Sequence, residues 1–339
     1  MFPKTLFDFA IRKIVKSLID DCWESTMRYF YCLVSVIALW GCDFDESRIL
    51  PGNSSGDTSS TPSTTKSFTL HTGADSNCYL YETYDLRCWG SHDYRNFESK
   101  NPMSLTMGRE FACIIDYLNK LHCESKRSDL NIDPPSTIAS KEYLYISAGD
   151  SHVCAIDTEN KLYCWGDNES GEIDIPSLLQ SSTVTKVSSG SKHSCAIETG
   201  GRVYCWGNND QGQSELGSTI RNNIFQEISS GGDHSCGIEA ETNRLYCWGA
   251  IFVDRTVSTE AMEFVDSGSH HVCAIDTSGD LHCWGSSSLS FSLLPDLSLS
   301  KNFKGISAGS QHNCAYTTSN QTICWGDNDD QQLNSGTLP

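Results

Sequence analysis

One segment recurs along this chain, and no other feature limits its fold as tightly. Gly149-Asp-Ser-His152-Val-Cys154-Ala-Ile-Asp-Thr-Glu-Asn-Lys-Leu-Tyr-Cys164-Trp165-Gly166 returns as Gly190-Ser-Lys-His193-Ser-Cys195 through Cys205-Trp206-Gly207. It returns again from Gly268 through His271, Cys273, Cys283 and Trp284, and from Gly309 through His312, Cys314, Cys324 and Trp325. A copy one residue longer holds His234, Cys236, Cys247 and Trp248. Two weaker copies hold Cys78, Cys88 and Trp89, and Cys113 and Cys123. First cysteines at 78, 113, 154, 195, 236, 273 and 314 make seven copies with a period of 35–41 residues, the mark of a propeller, solenoid or array.

Within a copy the apolar residues alternate, as in Cys154 and Ile156, then Leu162 and Cys164. That is the strand period, not the helical one. Asp, Asn, Gly, Ser and Thr fill the middle (Asp157-Thr-Glu-Asn160, Asp276-Thr-Ser-Gly279), which is turn chemistry. Each copy therefore reads as a β-hairpin. Setting Cys154 opposite Cys164 places Ile156 opposite Leu162 and leaves Thr158, Glu159 and Asn160 as a three-residue loop. Opposed Cα atoms in antiparallel strands lie roughly 4.5–5.5 Å apart, within the range that a disulfide spans. The extra residue of the fifth copy falls in its turn and leaves the pairing intact.

The chain carries 17 cysteines, and 14 of them form the seven repeat pairs. An even, regular set in an exported chain reads as disulfides; the metal alternative would need four ligands to converge. Basic residues number 24 against 43 acidic, for a formal charge of −19. This balance argues against a nucleic-acid partner, which needs basic patches, and favours solubility or a basic partner.

The N-terminal part reads separately. Residues 1–26 are an extension or a mis-assigned start, with translation beginning at Met27. Arg28 precedes an apolar run ending at Leu39-Trp40-Gly41-Cys42. A basic start, a short apolar core and a small residue before the cut describe a signal peptide. The last four residues resemble the bacterial lipobox, which implies a diacylated Cys42 as the mature N-terminus. Residues 43–66, rich in Ser and Thr, read as a disordered tether. Residues 67–339 form the repeat domain.

Gly-x-x-His-x-Cys-Ala-Ile, a turn, then Leu-Tyr-Cys-Trp-Gly-Asp-Asn-x-x-Gly resembles the regulator of chromosome condensation repeat. Trp206-Gly-Asn-Asn-Asp-Gln-Gly212-Gln213 matches its second half best. The resemblance implies an all-β fold, a seven-bladed β-propeller with one within-hairpin disulfide per blade. It also implies that His152, His193, His234, His271 and His312 bond the backbone of their own blades. Departures fall in the first two copies (Ser76 and Phe111 at the His position, Cys123-Glu-Ser for Cys-Trp-Gly) and after Trp248 and Trp284. Irregular loops are expected there, where propellers often carry specificity.

Trp89, Trp165, Trp206, Trp248, Trp284 and Trp325 are expected to fill the gaps between blades rather than to stack on ligands. The Gly-Asp-Asn turns lack the spacing and the bidentate Glu of a calcium loop. Asn53, Asn168 and Asn320 begin sequons that matter only in a eukaryotic secretory route. Neither a nucleophile elbow nor a phosphate loop stands out, so no catalytic residue, cofactor or metal is expected. The expectation is a monomeric, non-enzymatic module at the bacterial cell envelope, lipid-anchored or otherwise secreted, binding an unidentified surface protein and meeting the membrane only through its lipid. A polysaccharide-binding or polysaccharide-cleaving propeller and a purely structural adhesion component are the alternatives. The family precedents are exchange on a small GTPase and inhibition of a β-lactamase; export and paired cysteines weigh against the first.

Overall fold

Each repeat folds into a single three-stranded antiparallel sheet, and seven such sheets make the blades of a propeller. The computed structural model describes residues 68–92, 94–218, 220–250, 260–285 and 302–334, all within the unit Thr64–Pro339. The expected leader, the Cys42 lipid site and the tether lie outside the described residues. Blade 1 comprises β1–β3 (Phe68–Thr72, Ser76–Tyr81, Leu86–Gly90) and blade 2 β4–β6 (Pro102–Met107, Phe111–Asp116, Leu121–Ser125). Blade 3 is β7–β9 (Tyr143–Ala148, His152–Asp157, Leu162–Gly166) and blade 4 β10–β12 (Val184–Ser189, His193–Glu198, Val203–Gly207). Blade 5 is β13–β15 (Phe225–Ser230, His234–Glu239, Leu245–Gly249), blade 6 β16–β18 (Met262–Ser267, His271–Asp276, Leu281–Gly285) and blade 7 β19–β21 (Phe303–Ala308, His312–Thr317, Thr322–Gly326).

The second and third strands are the hairpin read from the sequence. Cys154 lies opposite Cys164, Ala155 opposite Tyr163 and Ile156 opposite Leu162. The turn ends on Asn160 in the left-handed region (φ 61°), where Asn is tolerated better than most residues. All seven cysteine pairs are bonded across this register, with Cα atoms 4.0–4.1 Å apart. Seven disulfides indicate an oxidising, extracellular setting. None of the described residues forms a helix long and apolar enough to cross a membrane.

The first strand of each blade is an addition to the hairpin reading. In six blades its register slips by one residue near its start, between Val184 and Lys186 in blade 4 for example. That bulge interrupts the alternation on which a strand assignment depends. Blade 1 alone pairs without a slip.

Blades cohere because each gap between neighbours is an apolar layer drawn from both. Cys154, Ile156 and Leu162 of blade 3 pack against Val184, Val187, Ala196 and Trp206 of blade 4. Blade 7 closes on blade 1 in the same manner, with Cys314 against Phe68, Leu70 and Tyr79. Blades 1 and 7 each keep their own three consecutive strands, so the ring is closed by contact, without a shared sheet.

Candidate functional site

Antiparallel order gives the ring two unlike ends around a central channel. At one end the loop after each first strand carries a glycine; at the other stand the hairpin turns and the bulged strand starts. The glycine end is rigidly specified. A Cβ built on Gly190 would lie 2.4 Å from the Gly231 carbonyl oxygen and 2.4 Å from His193 Cε1. Gly149, Gly231, Gly268 and Gly309 each abut the carbonyl of the next blade's glycine in the same way, Gly309 meeting Gly73 across the closure. All seven blades line the resulting recess, about 90 Å³ in volume.

The repeated histidines sit beside these glycines, and their role corrects the expectation. Four of the five reach a side chain of the next blade rather than the backbone of their own. His152 Nε2 lies 2.8 Å from Ser194 Oγ, and His193 Nε2 lies 2.8 Å from Ser235 Oγ. His271 and His312 reach Asn313 Oδ1 and Asn77 Oδ1, each at 2.7 Å. Ser194 in turn donates to the Glu172 carbonyl at 3.1 Å, so its hydroxyl accepts from the imidazole Nε2–H. The glycine leaves room for the ring, since a Cβ at Gly190 would lie 2.4 Å from His193 Cε1, and Nε2 on the far edge meets the neighbouring blade.

The tryptophans complete the same seam. Trp206 and Trp248 donate to the carbonyls of Glu172 and Gln213, at 2.7 and 2.9 Å. Trp89 donates to Gln332 and Trp165 to Ile132. Trp284 and Trp325 pack in the clusters between blades 5 and 6 and between blades 6 and 7. Burial lowers His152, His234, His271 and His312 to about 4 and His193 to about 3. The rings are therefore neutral framework groups, spaced around the ring rather than converging on a ligand.

Two seams depart from the pattern. Phe111 replaces the histidine of blade 2 and packs on Val153, both fully buried in one apolar cluster. Between blades 5 and 6, Val272 stands where blade 5 has Ser235, and His234 Nε2 has no hydrogen-bond partner among the described residues.

Blade 2 also brings the irregular loop expected of it. Residues 126–142 replace the Trp-Gly-x-Asn tail, anchored by buried Ile132 and by Tyr143 donating to the Ile138 carbonyl. Two recesses of about 440 and 580 Å³ flank this loop at the glycine end, sharing Arg127, Leu130, Ser151 and Asp167. Arg127 is paired with Asp129 and Glu110.

The tail turns considered for calcium use their oxygens on their own backbone: Asn168 Oδ1 accepts from Ile173, Gln213 Oε1 from Gln211 and Asn328 Oδ1 from Leu333. Glu260, Asp276 and His282, unremarked in the sequence reading, bring three ligand-type atoms within 4.8 Å. Asp276 there also caps its hairpin through the amides of Ser278 and Asp280. Asp116 and His122 repeat that Asp–His arrangement in blade 2.

The turn end differs in kind. Nine large apolar side chains are exposed among the described residues, and none lies at the glycine end. Tyr84, Tyr117 and Leu118 are in hairpin turns. Met103 and Leu144 occupy the bulge positions of β4 and β7, with Tyr145 directly after. Ile224, Phe264 and Leu178 stand at or before the first strands of blades 5, 6 and 4. Those of blades 1–3 form one arc. Tyr84 and Met103 line a shared recess of about 290 Å³; the Tyr117 amide donates to Asn101, and the Tyr143 amide to Asn119. None of these was singled out in the sequence. Their signal was an apolar residue at a bulge, where the alternation rule does not assign a side.

The family described as "Regulator of chromosome condensation (RCC1) repeat" matches residues 145–172, 184–213, 264–289 and 303–332. No curated protein sequence matches the chain. Among solved structures, the WD40 ectodomain of the Arabidopsis thaliana receptor kinase ACR4 superposes with a TM-score of 0.61 at 23% identity, covering 78% of this chain and 98% of that one. The ectodomain of the Physcomitrella patens receptor kinase CR4 gives 0.61 at 21% identity, covering 76% and 72%. Yeast RCC1 (Prp20), solved with Kap60 bound, gives 0.58 at 15% identity, covering 88% and 89%.

Proposed function

From the premise that this chain is a regulator of chromosome condensation type repeat protein, we propose that it is a protein-binding module that works outside the cell through the turn end of its propeller. One observation carries the reading: every exposed large apolar side chain described stands at or next to that end, and most form one arc across blades 1–3. Contiguous apolar patches on a soluble domain mark interaction sites. Two of the similar folds are receptor ectodomains, and a third was solved with a protein partner, which is in keeping with a propeller used for contact. We read the chain as exported and anchored through an acylated Cys42, on the strength of the leader sequence and the oxidised repeat cysteines.

Polysaccharide platforms are built mainly of aromatic rings; here Tyr84, Tyr117, Tyr145 and Phe264 share the face with Met103, Leu118, Leu144, Leu178 and Ile224, and the aliphatic share favours a protein partner.

Photo-crosslinking tests the face. A reactive residue at position 144 should give a defined protein adduct on the producing cell, and one at position 127, at the opposite end, should not. Identical adducts from both positions would refute the assignment. A non-reducing peptide map with intact mass tests the anchor through the mass of the peptide containing Cys42.

A further inference from the structure

The residue opposite the first cysteine of each hairpin borders the channel, and the seven equivalents can be compared directly. They are His71, Thr106, Ser147, Ser188, Ser229, Asp266 and Ser307. Most serve one structural task, accepting an amide from a neighbouring blade. Thr106 takes Ala148 N at 2.9 Å, Ser147 takes Ser189 N at 2.9 Å and Ser188 takes Ser230 N at 2.8 Å. Asp266 does the same for Ala308 N at 2.9 Å. A hydroxyl suffices for this bond, so the carboxylate is not required by the frame. It is also unfavourable there: desolvation raises Asp266 to about 6. The donors that bind it, Ser229 Oγ, Ser267 N, Ala308 N and the Ser307 side chain, are all neutral. A costly charge kept at a site where a serine would serve points to function.

Its surroundings define what would complete it. Two residues earlier on the same side of the strand is Phe264, 39% exposed, and the equivalent of blade 3 is Tyr145, 41% exposed. The Tyr145 hydroxyl is pushed up to about 12 by desolvation and by the charges of Glu227 and Asp266, so its ring stands in the same negative field. Lys186 is already paired with Glu227, and among the described residues no ion pair to Asp266 is formed. Exposed aromatic rings beside a partly desolvated carboxylate suit an organic cation. Leu144 and Met103 continue the surface as apolar ground, and the chain as a whole is at −19.

Asp266 lies inside the channel, two residues before Gly268 and one layer below Phe264. We propose that the channel, entered from the turn end, receives a cationic side chain, an arginine or lysine, that a partner protein carries among large apolar residues and that reaches Asp266. This rests on the reading that the turn end is the binding face.

The test is calorimetric titration of the full chain with a capped Leu-Arg-Leu-Leu peptide and its citrulline counterpart, which has the same shape without the charge. The arginine peptide should bind about tenfold tighter. Asp266→Ser, which installs the residue of four other blades, should reduce that preference to within about twofold without lowering the melting temperature. Equal affinity of the unaltered protein for the two peptides overturns the inference, as does a preference that survives Asp266→Ser. If both peptides bind equally and Leu144→Glu abolishes both, the face stands and only the cation is wrong. If neither peptide binds and a soluble tetrasaccharide does, both the cation and the protein-binding face fall.

Discussion

The two ends of this propeller are built from the same seven repeats and follow opposite rules. At the glycine end a side chain is admitted only if the neighbouring blade has a place for it: glycine against a carbonyl, imidazole against Ser or Asn, indole against a tail carbonyl. At the turn end the equivalent positions hold Tyr145, Lys186, Glu227 and Phe264 in successive blades. Stability and recognition are thus separated along the channel axis. A residue's effect on folding should fall, and its effect on binding rise, from one end to the other.

Acidification should strike hardest, and at the glycine end. The five seam histidines have folded pKa values near 3–4, below the unfolded value of about 6.5. Their contribution is intact above pH 6.5 and is lost as pH falls toward 4, because the unfolded chain binds protons first. Each would cost about 2 kcal/mol by pH 5. Asp266, raised to about 6, acts in the opposite sense: its contribution is largest below the unfolded carboxylate value and is lost as pH rises through 6. One such group only partly offsets five, so the melting temperature should drop steeply between pH 6.5 and 4.5. A flat profile there would mean that the seams do not govern stability.

Gly190→Ala comes next. Its methyl group would press on both the Gly231 carbonyl and the His193 ring, and overpacking of this kind costs about 3 kcal/mol, measurable by chemical denaturation. His193→Phe removes the ring nitrogen that lies 2.8 Å from the Ser235 hydroxyl, which keeps its bond to the Gln213 carbonyl, a loss of about 1 kcal/mol. Adding Ser235→Val reproduces the Phe111–Val153 seam of blades 2 and 3 and should restore much of it. A double variant no better than the single one would show that the apolar seam depends on more than that pair. Inside the channel and at the turn end the signs change. Asp266→Ser should stabilise by about 1 kcal/mol at pH 7, since it removes a desolvated charge. Leu144→Glu should stay within about 0.5 kcal/mol in stability while abolishing the adduct formed at the neighbouring surface.

Legibility in the sequence followed the same division. The hairpin and its cysteine register could be read because both rest on local, period-two spacing that recurs seven times. The first strand was hidden by its bulge. The direction of the histidine bond was missed because its partner lies one repeat away: the residue after His152 is Val153, but its acceptor Ser194 follows His193. The signal was available across the copies: four of the five His are matched by Ser or Asn one repeat on, and Phe111 is matched by Val153. Asp266 was equally visible as the one departure among Ile146-Ser-Ala-Gly149, Val187-Ser-Ser-Gly190, Ile228-Ser-Ser-Gly231, Val265-Asp-Ser-Gly268 and Ile306-Ser-Ala-Gly309. Its charge stands out only across the copies, because along the chain it is one of 43 acidic residues.

The closure by contact between blades 7 and 1 has a mechanical consequence. Tension applied to the chain where it enters at Phe68 loads that seam first, because no strand is shared across it. The grip there consists of His312 on Asn77, Ser307 beneath Thr72 and the Gln332 carbonyl under Trp89. If the seam yields, the blades can detach in order, but none can pay out its full length. Each disulfide spans 10 or 11 residues of sequence, shielding about 30 Å of contour per blade from extension. Under load such a ring would lengthen in a few short, recoverable steps, each ending at a covalent stop.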